Sequence, residues 1–201
     1  MLLPELFALF FILLSVNFIW KDVFRVLLPK LSAERGFQHL TFAVIFALFA
    51  LWSAQAGVKE GLSIHFLALT SLTLMYGWRS AYAISIVVAL LLAVFGQLAF
   101  SELPEYILFS CLLPISISYL VFLVSYQYLP RNIFVFIFVA GFFNGAFTGS
   151  AHLIINSVYH VVQGIHDWET IFDNYMVFVP LLAFPEGCLL YTSPSPRDKS
   201  S

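Results

Sequence analysis

Three polar side chains recur at every fourth position near the end of one apolar stretch: His152, Asn156 and His160. Residues at i, i+4 and i+8 share one face of an α-helix, so these three polar side chains are expected to lie together on one face. Imidazole nitrogens, together with carboxylates such as those that follow in the chain, are suitable ligands for divalent transition metals. The spacing therefore predicts either a metal-binding face or the end of an amphipathic helix that reaches water.

Another histidine, His65, lies at the start of a different apolar run, four residues after Gly61. In a helix that rises 1.5 Å per residue, His65 would lie about 6 Å below the start of that run. Ionisable groups inside a membrane are costly and by default indicate a functional site. His65 is therefore either a ligand or an interfacial side chain. The sequence has no HExxH or HxxxH pair, so a metal site would need residues from separate helices.

Glu186, in the motif LLAFPEG, is the third candidate. If the last helix begins between Trp168 and Tyr175, Glu186 follows about 16–27 Å along it, at mid-membrane or deeper. The adjacent Pro185 lacks a backbone donor and permits a kink. The alternative is a carboxylate at the helix end that already reaches the inner surface.

The composition indicates that lipid is the solvent around these residues. The chain is 61% hydrophobic and 10% charged, with a mean hydropathy of +0.95, whereas soluble domains carry roughly 25% charged residues. The net charge of −2 provides no basic field for nucleic acid. The sequence therefore predicts an all-α, polytopic membrane helix bundle.

About seven transmembrane helices are expected, because a span needs ~20 apolar residues. Short breaks such as GVKEG, GWRS, SELPE and LPRN separate the apolar runs. We expect one membrane domain over residues 1–187, with a last helix that starts near Thr170. The other predicted spans are Leu2–Trp20, Leu40–Ala56, Leu62–Trp78, Ala81–Phe100, Tyr106–Leu129 and Ile133–Ile155.

The basic residues give the orientation. Cytoplasmic loops carry an excess of Lys and Arg. The connections on one side of the predicted bundle contain a single basic residue, Lys59. The opposite set of connections contains Lys21, Arg25, Lys30, Arg35, Arg79 and Arg131. The N-terminus is therefore predicted to be outside.

Three glycines at four-residue spacing lie in the sixth predicted helix: Gly141, Gly145 and Gly149. Such spacing gives a flat face where a second backbone can approach closely. We expect a helix-packing face here, and a helix that slides along this face is the alternative.

The chain after Gly187 reads CLLYTSPSPRDKSS. The Cys188–Asp198 part corresponds in one reading frame to a string that resembles the transposon-derived adapter used in preparing sequencing libraries. We therefore expect residues 188–201 to be a non-native tail and the natural protein to continue past Gly187. An ordinary polar cytoplasmic tail is the alternative.

Three stretches, GLSIHFLALTSLTLMYGWRSA, LPRNIFVFIFVAGFFNGAF and LLAFPEG, resemble the proteobacterial predicted permeases of the CbiM-like group in order and spacing. That group belongs with the substrate-capture subunits of energy-coupling factor (ECF) transporters for cobalt and nickel. The resemblance covers most of Leu40–Gly187. It implies an ECF S-component-like fold with an outside N-terminus.

In better-understood members, the resemblance implies, the metal is held by the N-terminal amine, a histidine at position two and a histidine that opens a GxSxH helix. His65 matches the last of these ligands. Position two here is Leu2, so this chain cannot form the chelate of amine and histidine. The subgroup therefore either recruits other ligands, such as His152 or His160, or carries a different substrate.

The resemblance thus implies a substrate-capture subunit of an ECF-type importer, with cobalt or nickel as cargo and no permanently bound cofactor. Its partners would be a membrane coupling subunit and ATPase subunits, because the chain has no GxxxxGK[ST] phosphate loop. A multi-span membrane sensor module of a signalling protein is the alternative. An intramembrane enzyme that uses His65 and Glu186 is less favoured, because no GxSxG or HExxH motif accompanies them.

Overall fold

The fold is a bundle of apolar helices, seen in a computed structural model of the chain. The structure describes residues 3–54, 56–59, 62–64, 68–128, 137–162, 164 and 168. Within these ranges the side chains of residues 3–9, 56–59, 62–64, 137 and 160 are not described.

The helices follow one another with short connections. They are α1 (Leu3–Asp22), α2 (Leu28–Ala33), α3 (Arg35–Ser53), α4 (Leu69–Tyr76), α5 (Trp78–Val94), α6 (Leu103–Tyr106), α7 (Leu113–Tyr128) and α8 (Asn144–Val162). In the residues that the structure describes, three π-helical turns interrupt or precede them, at Val23–Leu27, Ile107–Leu112 and Ile137–Phe143. The prediction of a predominantly helical protein is confirmed.

Within the described part of the chain, three helical stretches are long and apolar enough to cross a membrane: Arg35–Ser53, Leu103–Tyr128 and Phe138–Tyr159. They contain 19, 26 and 22 residues, or about 28–39 Å at 1.5 Å per residue. They overlap the predicted second, fifth and sixth spans. The helix α5 is shorter, and ends at Val94 where the sequence predicted a span as far as Phe100. The chain is therefore compatible with a membrane protein.

The predicted third span is wrong in its first half. The strands β1 (Ala56–Lys59) and β2 (Leu62–Ile64) form an antiparallel hairpin where we expected a helix from Leu62. Glycines in this stretch disfavour helix, and β-branched residues favour the extended backbone that the hairpin provides. The helix begins at Leu69 instead, and its eight residues rise about 12 Å, too little to span the hydrocarbon alone.

A glycine separates α4 from α5. Gly77 adopts φ +77°, a left-handed conformation that costs a residue without a Cβ little. Its amide still donates to the Thr73 carbonyl at 2.9 Å, and its own carbonyl accepts from Ala81 at 2.9 Å. Gly77 therefore forms the boundary between α4 and α5, and both its amide and its carbonyl still make main-chain hydrogen bonds.

The core lies between α1, α3, α4, α5, the second π-helical turn and α7. Trp52 and Tyr82 are its largest buried side chains, and the Trp52 ring meets Tyr106 edge-on at 5.9 Å. The Tyr82 hydroxyl lies 2.9 Å from Ser15 Oγ, which itself donates to the Ile12 carbonyl. The Tyr82 hydroxyl is therefore the donor to Ser15.

Large apolar side chains also cover the outside of the bundle. Phe46 on α3 is 72% exposed and Val94 at the end of α5 is 70% exposed. In water these side chains would lose the stabilisation that burial gives, whereas lipid tails are as apolar as they are. The exposed apolar surface is what a bundle in a bilayer requires.

An ion pair joins the end of α1 to the start of α5. The Arg79 guanidinium contacts the Asp22 carboxylate, and both side chains are partly exposed. The same guanidinium lies 5.1 Å from the Phe18 ring centroid and 5.3 Å from that of Trp78. Arg79 is thus held both by charge and by two aromatic faces.

Candidate functional site

A row of polar side chains runs along the inner face of α8. Asn144, Thr148 and His152 follow one another at four-residue spacing and are 0%, 2% and 4% exposed, and Asn156 continues the row half-buried. Four-residue spacing keeps side chains on one helix face. We call these four residues the polar stripe.

The first turn of the polar stripe connects α8 to α7. The Asn144 side-chain amide donates to the Ser118 carbonyl at 3.1 Å, and its Oδ1 accepts from the Thr148 hydroxyl at 3.2 Å. The Asn144 amide thus makes one hydrogen bond to a neighbouring helix and one to the next turn of its own helix. This arrangement fixes the register between α7 and α8 at Asn144.

Farther along the polar stripe, His152 contacts the second π-helical turn. Its Nδ1 lies 3.3 Å from the Phe109 carbonyl, and Asn156 Nδ2 lies 3.0 Å from its Nε2. A carbonyl oxygen only accepts and an amide nitrogen only donates. The Phe109 carbonyl is therefore the acceptor of its contact with Nδ1. Asn156 Nδ2 also lies 3.3 Å from Nδ1, so the amide lies against the ring beside both nitrogens.

The π-helical turn that receives His152 is anchored to α8 by aromatic packing. The centroids of the Phe109 and Tyr159 rings lie 4.7 Å apart. Phe109 thus contacts α8 through both its ring and its carbonyl. A π-helical turn displaces the regular i→i−4 pairing, and such turns occur frequently at functional sites. The turn thus presents a carbonyl to the imidazole.

A hydroxyl on the facing helix has no hydrogen-bond partner among the described residues: Ser118 Oγ, in a residue that is fully buried. Its main-chain carbonyl is the group that receives Asn144. The helix α4, which packs against both α7 and α8, adds the buried hydroxyls of Thr70 and Thr73. Thr73 donates back to the Leu69 carbonyl of its own helix at 2.7 Å. The bundle interior around α8 is consequently polar but, among the described side chains, without a buried carboxylate or ammonium.

Two of the predicted site residues meet directly in the structure, namely His152 and Asn156. The backbone of His160 continues α8 two turns farther on, and its side chain lies outside the described part. His65 and Glu186 also lie outside the described residues. The predictions made for these three side chains therefore stay predictions.

The three glycines of the predicted packing face differ in their burial and in their neighbours. Gly145 and Gly149 are buried in α8, whereas a Cβ placed on Gly141, in the third π-helical turn, would meet no heavy atom within 4 Å outside its local backbone. Among the described residues, none is therefore a close neighbour of Gly141. The predicted packing face stays a prediction for the two buried glycines.

Sequence reasoning missed Asn144 and Thr148. Both lie in the GFFNGAFTG motif, whose glycines drew attention instead. The signal was the same four-residue spacing, extended two steps towards the N-terminus from His152. Buried polar groups on an otherwise apolar helix need partners, and Asn144 and Thr148 are partners of each other.

Among the described residues, no three His, Cys, Asp or Glu side chains are grouped closely enough to hold a metal ion. His152 is the one predicted ligand whose side chain is described, and the Asn156 amide nitrogen lies against its ring, 3.3 Å from Nδ1 and 3.0 Å from Nε2. The polar stripe can accordingly bind through oxygen atoms, or through the imidazole once Asn156 has moved. A scan of protein-family models and searches of curated proteins and of solved structures each find no match to the chain.

Proposed function

We propose that the chain is the substrate-capture membrane subunit of an ECF-type importer, with a divalent transition-metal cation, cobalt or nickel, as its cargo. ATP hydrolysis is supplied by separate ATPase subunits through a membrane coupling subunit. The sequence resemblance over Leu40–Gly187 supports this proposal. The observation that carries it within the structure is the buried imidazole of His152, in a bundle whose surface suits lipid.

The proposal includes about seven spans in the bacterial inner membrane, with the N-terminus outside. The unequal distribution of Lys and Arg supports this orientation. His65 and the end of α8 that contains His152 and His160 then lie towards the outer leaflet. A cation arriving from outside meets imidazoles before it meets the basic cytoplasmic loops.

The chemistry proposed for His152 follows from its contacts with Phe109 and Asn156. A hydrogen on Nδ1 directed at the Phe109 carbonyl leaves Nε2 with the lone pair that a metal ion uses. The Asn156 amide nitrogen lies against the ring, 3.0 Å from Nε2 and 3.3 Å from Nδ1. Cation capture at His152 therefore requires the Asn156 side chain to move away from Nε2.

The test is isothermal titration calorimetry of the purified chain with Ni²⁺ and with Co²⁺. His65→Ala and His152→Ala are each expected to weaken binding at least tenfold, because each removes a proposed ligand. Asn156→Ala is expected to strengthen binding, because it removes an amide that lies 3.0 Å from His152 Nε2 and obstructs a cation there. His39→Ala is the matched control, since His39 is an exposed imidazole on α3.

Equal affinities in the parent chain, His65→Ala and His152→Ala would contradict the site assignment. Absence of Ni²⁺ and Co²⁺ binding by the parent chain would contradict the metal cargo itself. A loss of affinity in His39→Ala as large as in His152→Ala would indicate nonspecific binding by surface imidazoles.

A further inference from the structure

The helical segment between residues 20 and 35 combines exposed aromatic and exposed basic side chains. Trp20 is 57% exposed and Phe24 is 49% exposed. Four cations in the same segment are exposed: Lys21, Arg25, Lys30 and Arg35. We call residues 20–35 the basic-aromatic segment.

Aromatic and basic groups form adjacent rows on this segment. The Trp20 and Phe24 rings lie 4.4 Å apart between centroids, so the two rings form one surface. Lys21 and Arg25 have the same four-residue spacing, one position farther along the chain. Each aromatic residue is thus followed directly by a cation.

The charge of the segment is strongly positive. The segment contains two carboxylates, Asp22 and Glu34. The charge of Asp22 is balanced by Arg79 in the ion pair that joins α1 to α5, so Glu34 is the carboxylate that remains against the cations. Lys30 is also positioned, since its Nζ lies 4.7 Å from the centre of the Phe37 ring. The cations are therefore available to an anionic partner.

We propose that the basic-aromatic segment binds the headgroups of anionic phospholipids in the membrane that surrounds the bundle. Clusters of Lys and Arg beside an apolar helix are attracted to anionic lipids, and Trp prefers the headgroup level of a bilayer. Exposed Val26 and Leu28 extend the apolar surface between the cations. A lipid can accept both kinds of group, because its phosphate meets the cations while its acyl chains cover the apolar side chains.

A lipid fits this surface better than an acidic soluble protein does. The segment continues directly from the 20-residue helix α1, whose side chains Phe10, Leu13 and Phe18 are exposed. A protein partner would leave that apolar row without cover, whereas a bilayer covers the row and the segment together. The inference depends on a membrane location and not on the nature of the cargo.

The experiment compares binding of phosphatidylglycerol and phosphatidylcholine to the purified full chain by native mass spectrometry. The parent chain is expected to prefer phosphatidylglycerol. The double variant Lys21→Gln with Arg25→Gln is expected to lower that preference by about fivefold or more, because each cation near a membrane surface contributes separately to anionic lipid binding. Lys59→Gln is the matched control, because Lys59 lies in the hairpin, outside the segment.

A preference that is unchanged in the double variant, or absent in the parent chain, would overturn the proposal. Circular dichroism and thermal unfolding show whether the variant folds like the parent. If it does not, Lys30→Gln with Arg35→Gln tests the other end of the same segment with the same expected result. Displacement of the bound lipid by inorganic phosphate alone would also overturn the proposal, since the acyl chains would then contribute nothing.

Discussion

Asn144→Ala is the substitution whose cost the structure defines most closely. The side chain is fully buried and makes two hydrogen bonds, as donor to the Ser118 carbonyl and as acceptor from Thr148. The Ser118 carbonyl lies inside α7, where the main-chain ladder also uses it. The Thr148 hydroxyl can turn to the carbonyl one turn earlier in its own helix. The substitution therefore removes two bonds without leaving either partner unpaired.

The expected cost follows from these two bonds. Side-chain hydrogen bonds in membrane proteins contribute about 0.6 kcal/mol on average, with a maximum of about 1.7 kcal/mol. Two of them, together with the small cavity left by the amide, predict that Asn144→Ala lowers the free energy of unfolding by about 1–2 kcal/mol. An unpaired buried amide or carbonyl would add a further 1–3 kcal/mol or so, which we do not expect here.

The measurement is unfolding of the purified chain in mixed micelles of increasing SDS content, monitored by circular dichroism. A double-mutant cycle with Thr148→Val isolates the contact within α8 and is expected to give a coupling of about 0.6 kcal/mol. Ser150→Ala is the matched control, since its hydroxyl donates to the Ala146 carbonyl within the same helix, and a change below about 0.5 kcal/mol is expected. If Asn144→Ala costs no more than Ser150→Ala, Asn144 does not join α7 to α8.

Two further predictions concern the core and the orientation. Tyr82→Phe removes a buried hydroxyl that donates to Ser15 and is expected to cost about 0.5–1.5 kcal/mol of unfolding free energy. Tyr128→Phe, at a side chain that is 80% exposed, is expected to cost almost nothing, and equal costs would contradict the buried bond. A membrane-impermeant maleimide added to intact cells is expected to label Lys59→Cys but not Arg79→Cys; the reverse pattern would invert the proposed orientation.

The helical class of the chain was predictable from apolar run length. The predicted spans Leu40–Ala56 and Tyr106–Leu129 each overlap a helix that is long and apolar enough to cross a membrane. Hydropathy succeeds here because a backbone in lipid must satisfy its polar groups internally, which a helix does. The same rule cannot detect a hairpin. The stretch Leu62–Ile64 was therefore predicted to be helical, although it forms a strand.

The partners of the polar stripe were predictable only in part. The contact between His152 and Asn156 follows from four-residue spacing, which sequence gives directly. The contact between His152 and the Phe109 carbonyl joins residues 43 positions apart and depends on a π-helical turn. Pro114 follows that turn by two residues and cannot donate to the Ser110 carbonyl, so the sequence marks a disturbed helix there. It does not show which carbonyl the imidazole meets, because that depends on how the helices pack.

The two contacts of His152 bear on whether this imidazole is structural or functional. One of its neighbours is the main-chain carbonyl of Phe109, whereas another is the half-buried side chain of Asn156, one turn farther along the same helix. Rotation of Asn156 would uncover Nε2 while the carbonyl still held the Nδ1 hydrogen in place. The ring would then keep its orientation as its ligand changed, which is the condition for exchanging an amide for a cation. Opposite responses of metal affinity to Asn156→Ala and His152→Ala would therefore distinguish a functional imidazole from a structural one.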